Sequence, residues 1–389
     1  YEMTEGQGSE LEDLSGNGND GTIYGATWSG DAPVLGCTDP YSENYNPNAN
    51  LDNGSCIYPD NGDYSLNLDG VDDYVTVPYS SNLNSFTDAI TVSLWFKVTG
   101  NIGSQQTLIE NGDTKGFVLG VTTDSDLLSL NPHLATSSGW FNLPYSIEGG
   151  LEYDTWYHAA FSYDGEVFKC YVDGVEVSPN FSSPSISGNI ENNNESLNFG
   201  YDANWQHYFN GNIDEAAIWN TTLTQEEIQS YMTTSPVGNE DGLAGYWSFN
   251  AGEDETLYDR SGNANHGEIN GATWTEDVPV SGCTDSYAEN YNPDAVLDDG
   301  SCAGYPDNGE YVLSFDGVDD YVSIGDNSDF DIQDAITISV KVKPHSIQTS
   351  SIIDRWAGYN TGYRLNLRGG PVDPGNPGVI WASFGVGDY

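Results

Sequence analysis

The stretch WYHAAFSYDGEVFKCYVDGVEV, from Trp156 to Val177, decides the fold class of a chain of 389 residues. It contains two runs of strand length, WYHAAFSYD and FKCYVDGVEV, in which apolar residues follow one another or alternate with polar ones. The dipeptides Asp164-Gly165 and Asp173-Gly174 stand where hairpin turns would join such strands. The stretch therefore predicts consecutive antiparallel strands.

Strand-like runs separated by turns also fill the rest of the chain. Examples are YVTVP, ITVSLWFKV and EAAIWN, with Gly, Asp and Asn residues between them. One stretch, TLTQEEIQSYM from Thr222 to Met232, predicts a helix, because Thr224 and Glu227 have the spacing of a capping box. Together these patterns predict an all-β sandwich with one short helix.

The charge balance of the chain is strongly acidic. Sixty Asp and Glu residues stand against nine Lys and Arg, a formal net charge of −51. Such a surface repels nucleic acid and anionic lipid, so neither is expected as a partner. No apolar run reaches the ~18 residues that a membrane-spanning helix needs, so no membrane insertion is expected in this segment. The carboxylates suit a solvated secreted protein and multivalent cations, chiefly calcium.

Four of the five cysteines form two equally spaced pairs, Cys37 with Cys56 and Cys283 with Cys302. This spacing predicts two local disulfides and an oxidising, extracellular setting. Zinc is the alternative, but no histidine or second cysteine pair accompanies either pair closely in sequence. The fifth, Cys170, lies in the strand-like run FKCYV and is expected to be a buried, inert thiol.

The sequence repeats itself at an interval of about 246 residues. The repeated stretches are DLSGNGNDGTIYGATW (Asp13–Trp28) with DRSGNANHGEINGATW (Asp259–Trp274), GCTDPYSENYNPNANLDNGSC (Gly36–Cys56) with GCTDSYAENYNPDAVLDDGSC (Gly282–Cys302), and YSLNLDGVDDYVTV (Tyr64–Val77) with YVLSFDGVDDYVSI (Tyr311–Ile324). Both ends of the sequence lie inside a repeat, so we expect a longer natural protein, such as a tandem array.

Three blocks of sequence point to a known family. LNLDGVDDYVTVP, WYHAAFSYDGEVFKCYVDGVEV and FNGNIDEAAIWNTTLTQEEIQSYM, in this order, resemble the laminin-G-like, concanavalin-A-like jelly rolls of bacterial surface and secreted proteins. The cysteine loops resemble short modules of repetitive surface proteins of marine Bacteroidota. The resemblance implies tandem jelly-roll sandwiches with small disulfide-closed loops between or inserted in them. It says little about function, because this fold hosts lectins, adhesins and hydrolases.

The repeat and the resemblance together predict a division of the chain. The expected segments are 1–35, the terminal segment of a jelly-roll unit; 36–58, a cysteine loop; 59–240, a laminin-G-like jelly roll; 241–281, a repeat of 1–35; 282–304, a second cysteine loop; and 305–389, the start of a second jelly roll. Two questions stay open. The 241–281 segment either begins one jelly roll or ends the previous one, and each cysteine loop is either a linker packed on a jelly roll or an insertion.

Calcium is the expected cofactor, and the resemblance implies one site for it. Related folds bind calcium with an Asp of a late strand and with groups in an early turn. The matching residues are Asp214 in GNIDEAAIW and Asp69, Asp72 and Asp73 in LDGVDDYV. Their equivalents in the second copy of the turn are Asp316, Asp319 and Asp320. The alternative is that these side chains only shape turns and bind backbone amides.

The cysteine loops offer a second set of calcium candidates. Asp39 and Asp52 lie in the first loop, and Asp285 and Asp298 take their positions in the second. The alternative is that the disulfide holds each loop and the Asp and Asn side chains cap turns. The stretch DLSGNGNDG begins like an EF-hand loop but lacks its final glutamate, so a simple turn is expected there.

Recognition of a sugar by aromatic side chains is the remaining possibility for a site. GYDANWQHYFNG, Gly200 to Gly211, concentrates the candidate ligand-binding residues Tyr201, Trp205, His207 and Tyr208. SSGWFNLPY, with Trp140 and Phe141, is a second candidate, and core packing is the alternative for both. No catalysis is expected, since the sequence has neither the E-x-D-x-x-E strand of the glucanases of this fold nor a G-x-S-x-G motif.

These observations favour an extracellular structural or adhesive repeat protein of a bacterial cell surface or surface fibre, stiffened by calcium and disulfides. Its expected partners are glycans, other surface proteins or copies of itself. The alternative is a calcium-dependent carbohydrate-binding module of a larger secreted protein. An enzyme of the concanavalin-like class is a third hypothesis, which would require two acidic side chains converging in a cleft.

Overall fold

The computed structural model describes residues 1–100, 105–112, 114–124, 127–142, 144–180, 186–304, 311–324, 330, 335–344, 350–356, 362–368 and 379–385. The chain forms two compact units, Tyr1–Asp307 and Asn308–Tyr389. No helix in the described ranges is both long and apolar enough to cross a membrane.

The described secondary structure is almost entirely β. The strands of the first unit are β1 (Glu10–Leu11), β2 (Gly21–Thr22), β3 (Leu35–Gly36), β4 (Leu51–Asp52), β5 (Ser65–Asp69), β6 (Tyr74–Val77), β7 (Ile90–Val98), β8 (Gln106–Asn111), β9 (Phe117–Asp124), β10 (Leu127–Leu130), β11 (His133–Thr136), β12 (Gly139–Asn142), β13 (Trp156–Tyr163), β14 (Phe168–Val172), β15 (Val175–Val177), β16 (Leu197–Phe199), β17 (Tyr201–Asp202), β18 (His207–Tyr208), β19 (Asn210–Trp219), β20 (Leu243–Trp247), β21 (Thr256–Leu257), β22 (Gly267–Asn270), β23 (Thr273–Thr275), β24 (Ser281–Gly282) and β25 (Leu297–Asp298). The second unit has β26 (Ser350–Trp356), β27 (Gly362–Arg368) and β28 (Val379–Gly385), and helix α1 spans Gln225–Thr233.

Two antiparallel sheets pack face to face in the first unit. The first sheet has the order β15-β14-β13-β7-β19-β5-β23, with β20 also beside β19. The second has the order β12-β11-β9-β8-β16-β6-β22-β21, with β10 beside β9. Their facing side chains share one core, in which Phe117 of the second sheet packs on Phe161 of the first and Phe199 on Trp247. The predicted all-β jelly-roll sandwich is confirmed.

The opening stretch forms the predicted hairpins. Val172 of β14 pairs directly with Val175 of β15, and the two residues between them, Asp173 and Gly174, have φ angles of 49° and 69°. Positive φ at both positions is the geometry of the two-residue turns that match the twist of a hairpin. Cys170 faces the core and is fully buried, as predicted. Burial also raises the pKa of its thiol, which keeps it protonated and inert.

The helix also forms where its sequence predicts. Thr224 is its N-cap and accepts a hydrogen bond from the Glu227 amide, while the Glu227 side chain accepts one from the Thr224 amide. Ile228 is its buried residue and packs beside Trp219 of β19. The capping box and one apolar contact therefore explain why this stretch is helical.

Strand β19 connects the two ends of the sandwich. Its first half pairs with β5, from Asn210 with Asp69 to Ile213 with Leu66, and its second half pairs with β20 along the same edge. The register against β7 shifts between Asp214 and Ala217, where Glu215 has a φ of 47°, so the strand carries a bulge at this point.

The segment 241–281 contributes strands to both sheets. Strands β20 and β23 join the first sheet, and β21 and β22 join the second. Asp277 then fastens the end of the segment, since it forms an ion pair with Lys97 and accepts a hydrogen bond from the Trp156 indole. The question left open by the sequence is answered at this point, because the segment completes the jelly roll that precedes it. We call residues 241–281 the closing segment.

Residues 1–35 share part of the local structure of the closing segment. Strands β1 and β2 pair as β21 and β22 do, and the indoles of Trp28 and Trp274 both donate to a carbonyl 20 residues earlier, at 3.0 Å. In the EF-hand-like stretch the Asp13 carboxylate accepts the amides of Ser15 and Asn19. This stretch is therefore the expected turn, built by bonds between near neighbours.

Both predicted disulfides are present, Cys37–Cys56 and Cys283–Cys302. Inside the loops the Asn and Asp side chains bind the same backbone groups in each copy. The Asn44 and Asn290 side chains donate to the carbonyls of Ser55 and Ser301 and accept the amides of Ile57 and Ala303. The Asp52 and Asp298 carboxylates accept the amides of Gly54 and Gly300. Each loop is thus specified by its own sequence.

The first cysteine loop docks on the closing segment. The buried Asp39 carboxylate accepts hydrogen bonds from the Tyr58 hydroxyl and from His266 Nε2, both at 2.6 Å, and from the Tyr41 amide at 2.9 Å. His266 Nδ1 accepts the Asp259 amide at 3.0 Å, so the ring proton is on Nε2. The loop at the start of the sandwich therefore packs on the segment that ends it. Burial tends to raise the pKa of Asp39, but these three hydrogen bonds outweigh burial and lower the pKa.

The second unit contains an antiparallel meander, β26-β27-β28. Residues 311–324, which repeat β5 and β6, contain no strand. In the first unit β5 lies between β19 and β23, and β6 lies between β16 and β22. A second jelly roll at 305–389 stays a prediction.

Removal of the Asp39 carboxylate should undock the first cysteine loop. In Asp39→Ala three donors lose their acceptor, two of them on the buried side chains of Tyr58 and His266, which we expect to cost the docked state about 2 kcal/mol. Hydrogen–deuterium exchange of the full chain should then be faster in peptides that contain Tyr41 and His266. Asp285→Ala is the matched control, since Gly304 stands where the first loop has Tyr58. Equal protection of these peptides in the two variants would contradict the docking contact.

Candidate functional site

A pocket of about 460 Å³ lies where the β11–β12 hairpin meets the β17–β18 hairpin. Its described lining residues are Gln105, Thr114, His133, Trp140, Asn142, Trp205 and His207. The volume falls within the range of roughly 300–1,000 Å³ that is typical of small-molecule sites. This pocket, which we call the tryptophan pocket, lies on the outer face of the second sheet.

Alternation along the strands explains why these side chains face outward. Leu134 and Phe117 point into the core, so their neighbours His133 and Val118, which pair with each other, occupy the opposite face. Asn142 pairs with His133, and Trp140 pairs with Ala135, on the same face. The Trp140 indole meets the His133 ring edge to face, with centroids 5.3 Å apart, and is 41% exposed. The two strands thus present an imidazole, an indole and an amide together.

A buried carboxyl group holds the β17–β18 hairpin over this face. Glu110 of β8 is 1% exposed, and its Oε1 accepts hydrogen bonds from the Asn198 amide at 3.0 Å and from the Ala203 backbone at 3.1 Å. Asp202 then caps the turn by accepting the amides of Asn204 and Trp205. The turn presents the Trp205 indole, which is 64% exposed and stacks on His207 at 6.5 Å.

Burial sets the ionisation of two groups at the site. It raises the pKa of Glu110 to about 7, although the bonds from Asn198 and Ala203 oppose it. Burial, with a smaller contribution from the nearby His207, lowers the pKa of His133 to about 4. His133 is therefore neutral at physiological pH. The amide nitrogens of Gln105 and Asn131 lie 3.3 and 3.1 Å from its Nε2, which places the ring proton on Nδ1.

Two of the four predicted ligand-binding residues line the pocket. Trp205 and His207 do so, whereas Tyr201 and Tyr208 stack on each other at 4.6 Å, with Tyr74 against Tyr201 at 5.3 Å. The two tyrosines therefore support the hairpin. Of the second candidate pair, Trp140 lines the pocket and Phe141 belongs to the core.

Sequence reasoning missed four lining residues, Gln105, Thr114, His133 and Asn142. They carry no local motif, and only the pairing of β11 with β9 and β12 brings His133 beside Asn142. The available signal was the alternation of His133 with the core residue Leu134, which indicates the outward face of a strand but not a pocket.

The turn after β5 gathers three of the calcium candidates. Ligand oxygens of Asp69, Asp72 and Asp73 all lie within 4.8 Å of one another. Two of these groups also build the turn, since Asp69 Oδ1 accepts the Val71 amide at 2.7 Å and Asp73 Oδ2 accepts the Asp69 amide at 3.0 Å. Burial and then the charges of Asp69 and Asp72 raise the pKa of Asp73. The hard oxygen donors fit calcium in type, and the hydrogen bonds also explain the cluster without it.

Asp214 does not join this cluster. Asn210 of β19 pairs with Asp69, and Asp214 lies four residues farther along the strand, a distance of about 13 Å. Asp214 is 4% exposed, and burial, together with the charge of Glu215, raises its pKa well above the usual range. The convergence of Asp214 with the early turn is therefore not observed, because the register of β19 separates them.

The second copy of the turn repeats the first. Asp316, Asp319 and Asp320 form the same kind of cluster. The Asp316 amide donates to the Asp320 carboxylate at 2.8 Å, just as the Asp69 amide donates to the Asp73 carboxylate. Residues 311–324 contain no strand, so neighbouring strands are not needed to form this turn. The geometry of the carboxylates thus follows from the local sequence.

The loop carboxylates bind donors of the protein itself. Both oxygens of Asp39 are occupied, and Asp52 accepts the Gly54 amide and the Thr38 hydroxyl. Asp285 and Asp298 accept the amides of Tyr287 and Gly300. In the part of the chain that the structure describes, none of the four belongs to a group of three metal-ligating side chains. Calcium in these loops stays a prediction that the hydrogen bonds do not favour.

Comparison with known families agrees with the topology. Residues 69–229 match a laminin-G family model described as the Concanavalin A-like lectin/glucanases superfamily. Over these residues the sandwich resembles a laminin-G domain. Mouse pappalysin-1 is 27% identical over 161 residues, which are 38% of this chain and 10% of that protein. The chain thus spans about a tenth of the length of this curated relative.

Two solved structures resemble the laminin-G-like domain in fold. A Bacteroides ovatus protein, named as a candidate carbohydrate-binding protein, is 20% identical with a TM-score of 0.44, over 58% of this chain and 63% of its own. The heptameric SAP-like pentraxin of Limulus polyphemus is 15% identical with a TM-score of 0.34, over 46% of this chain and 87% of its own. Disulfides and laminin-G-like domains are both typical of extracellular proteins.

The raised pKa of Glu110 predicts that stability falls as the pH rises. The unfolded chain loses this proton near pH 4.5 and the folded chain near pH 7, so the stabilisation is complete below about pH 4.5 and lost through pH 7. Glu110→Gln removes this titration. We compare the free energy of unfolding of the variant with that of the wild type at each pH. This difference should shift in favour of the variant by up to about 3 kcal/mol between pH 5 and pH 8.

Urea denaturation of both proteins between pH 5 and pH 8 measures this difference. Glu268→Gln, which changes an exposed glutamate of the same sheet, controls for the loss of one negative charge. If Glu110→Gln and Glu268→Gln follow the wild-type curve equally, the buried Glu110 carboxyl does not set the pH dependence.

Proposed function

We propose that the laminin-G-like domain binds glycans in the tryptophan pocket, and that the chain is part of an extracellular adhesive protein. The observation that carries this proposal is the convergence of two exposed indoles, Trp140 and Trp205, from separate hairpins on one pocket. A sugar ring has an apolar face of C–H groups, which packs well on an aromatic ring. Two such rings beside polar groups are the means by which a protein surface holds an oligosaccharide.

The polar lining suits sugar hydroxyls. Gln105, Asn142 and Thr114 offer amide and hydroxyl groups that both donate and accept, as each hydroxyl of a sugar does. His133 is held by its neighbours, and its buried Nδ1 has no hydrogen-bond partner among the described residues. A few polar groups of this kind among aromatic side chains give a binding site its orientation and selectivity.

The proposal is binding without catalysis. Glycoside hydrolysis ordinarily uses two carboxyl groups on either side of the scissile bond. The described lining of the tryptophan pocket contains neither Asp nor Glu. Glu110 lies beneath the hairpin, where it binds the Asn198 amide and the Ala203 backbone.

A structural role in a repeat array is the second proposed function. It is favoured by the docking of the first cysteine loop through Asp39 and His266, and by the second copy of the loop at 282–304. We propose that such units follow one another along a surface protein, with glycans or other surface proteins as partners. Assembly of copies into a fibre would appear as filaments of the full-length protein in electron microscopy, and dispersed particles would count against it.

Substitution of either tryptophan tests glycan binding. Trp140→Ala and Trp205→Ala should each weaken binding on a glycan array, and the affinity for any hit should fall by about tenfold or more. Tyr79→Ala is the control, because Tyr79 is an exposed aromatic residue of the same sandwich outside the pocket lining. Binding that survives both tryptophan substitutions would place the glycan elsewhere.

Calcium at the turn after β5 is tested by thermal melting. If calcium binds there, its addition to EDTA-treated protein should raise the melting temperature by several degrees, since a ligand of the folded state stabilises it. Asp72→Asn removes a ligand charge, and the turn bonds of Asp69 and Asp73 remain, so the increase should shrink. Asp88→Asn, an exposed change elsewhere in the sandwich, should keep it. An unchanged melting temperature in the wild type would exclude a stabilising calcium ion.

A further inference from the structure

Positive charge is nearly absent from the first unit, and what there is lies in ion pairs. The sequence has four Lys and Arg residues between positions 1 and 304. Their pairs are Lys97 with Asp277, Lys115 with Glu191, Lys169 with Glu176, and Arg260 with Asp60. None of the four is a lining residue of the tryptophan pocket.

His207 is a lining residue that can carry a positive charge, and two further titratable groups of the site lie close to it. His133 is neutral at physiological pH because burial lowers its pKa to about 4. Glu110, beneath the β17–β18 hairpin, is neutral or negative, and Asp202 next to it caps the turn with its carboxylate. Around them is a chain with a formal net charge of −51. The pocket thus belongs to a strongly acidic chain and has neither Lys nor Arg among its described lining residues.

We propose that the tryptophan pocket selects uncharged glycans and excludes glycans that carry carboxylate or sulfate groups. The inference rests on the proposed function, since it names the ligand class of the same pocket. A carboxylate or sulfate on a bound sugar ordinarily meets an arginine or lysine, and here it would lose water without gaining such a charged partner. The long-range field of the chain adds to this penalty by repelling anions during the encounter.

An uncharged sugar meets no such penalty. Its ring faces pack on Trp140 and Trp205, and its hydroxyls bind the amide groups of Gln105 and Asn142. Neither contact depends on a net charge, so the affinity should change little between about 50 and about 500 mM salt.

The test is a glycan array that carries each neutral glycan beside its sialylated, uronate-containing or sulfated counterpart, probed with the full chain. We expect the neutral member of each bound pair to bind at least about tenfold more tightly than its counterpart. Preference for the anionic members, or affinity that falls steeply with salt, would overturn the selectivity and leave glycan binding intact. Absence of all binding would overturn glycan binding itself.

A second measurement separates electrostatic exclusion from simple lack of space. Asn142→Arg adds a cation to an exposed lining position, and Tyr79→Arg adds the same charge outside the lining. Asn142→Arg should bring the anionic member of a pair to within about tenfold of the neutral one, and Tyr79→Arg should not. If Asn142→Arg still rejects the anionic glycan and binds the neutral one, the exclusion is not electrostatic and the proposal is wrong.

Discussion

The pairing of one edge of β19 with both β5 and β20 is the constraint on which the sandwich depends. The two partner strands come from opposite ends of the domain, and the bulge at Asp214 and Glu215 lies where one partner gives way to the other. A buried carboxyl group and a left-handed residue are both unfavourable on their own, and the surrounding sheet holds them in place. Because β19 also pairs with β7, it brings the beginning, middle and end of the domain into one sheet.

Features that depend on neighbours in sequence could be predicted, and features that depend on register could not. The capping box at Thr224 and Glu227, the turn at Asp173 and Gly174, and the two disulfides each join residues close together in the chain. The tryptophan pocket instead joins Trp140 to Trp205 through the strands between them. The sequence does not reveal how far along β19 Asp214 lies, so the prediction that Asp214 joins the calcium cluster is wrong.

The repeated stretches separate local from non-local structure within a single chain. The matched bonds inside the cysteine loops, the turn bonds at Asp69 and Asp316, and the indole bonds of Trp28 and Trp274 recur in both copies. The strands of the turn differ, since they form in the first copy and not in the second. A turn needs only its own carboxylates, whereas a strand needs hydrogen-bonding partners along its edges. At these two turns the acidic side chains supply the acceptors that shape the backbone.

Docking of the first cysteine loop on the closing segment has a mechanical consequence. It joins the first and last parts of one domain through Asp39 and His266, outside the strands that already join them within the sheets. Rupture of the contact would release little length, because the disulfide at Cys37 and Cys56 keeps the loop closed. A loop pulled away from the closing segment would therefore stay closed on itself, and it could dock again without refolding.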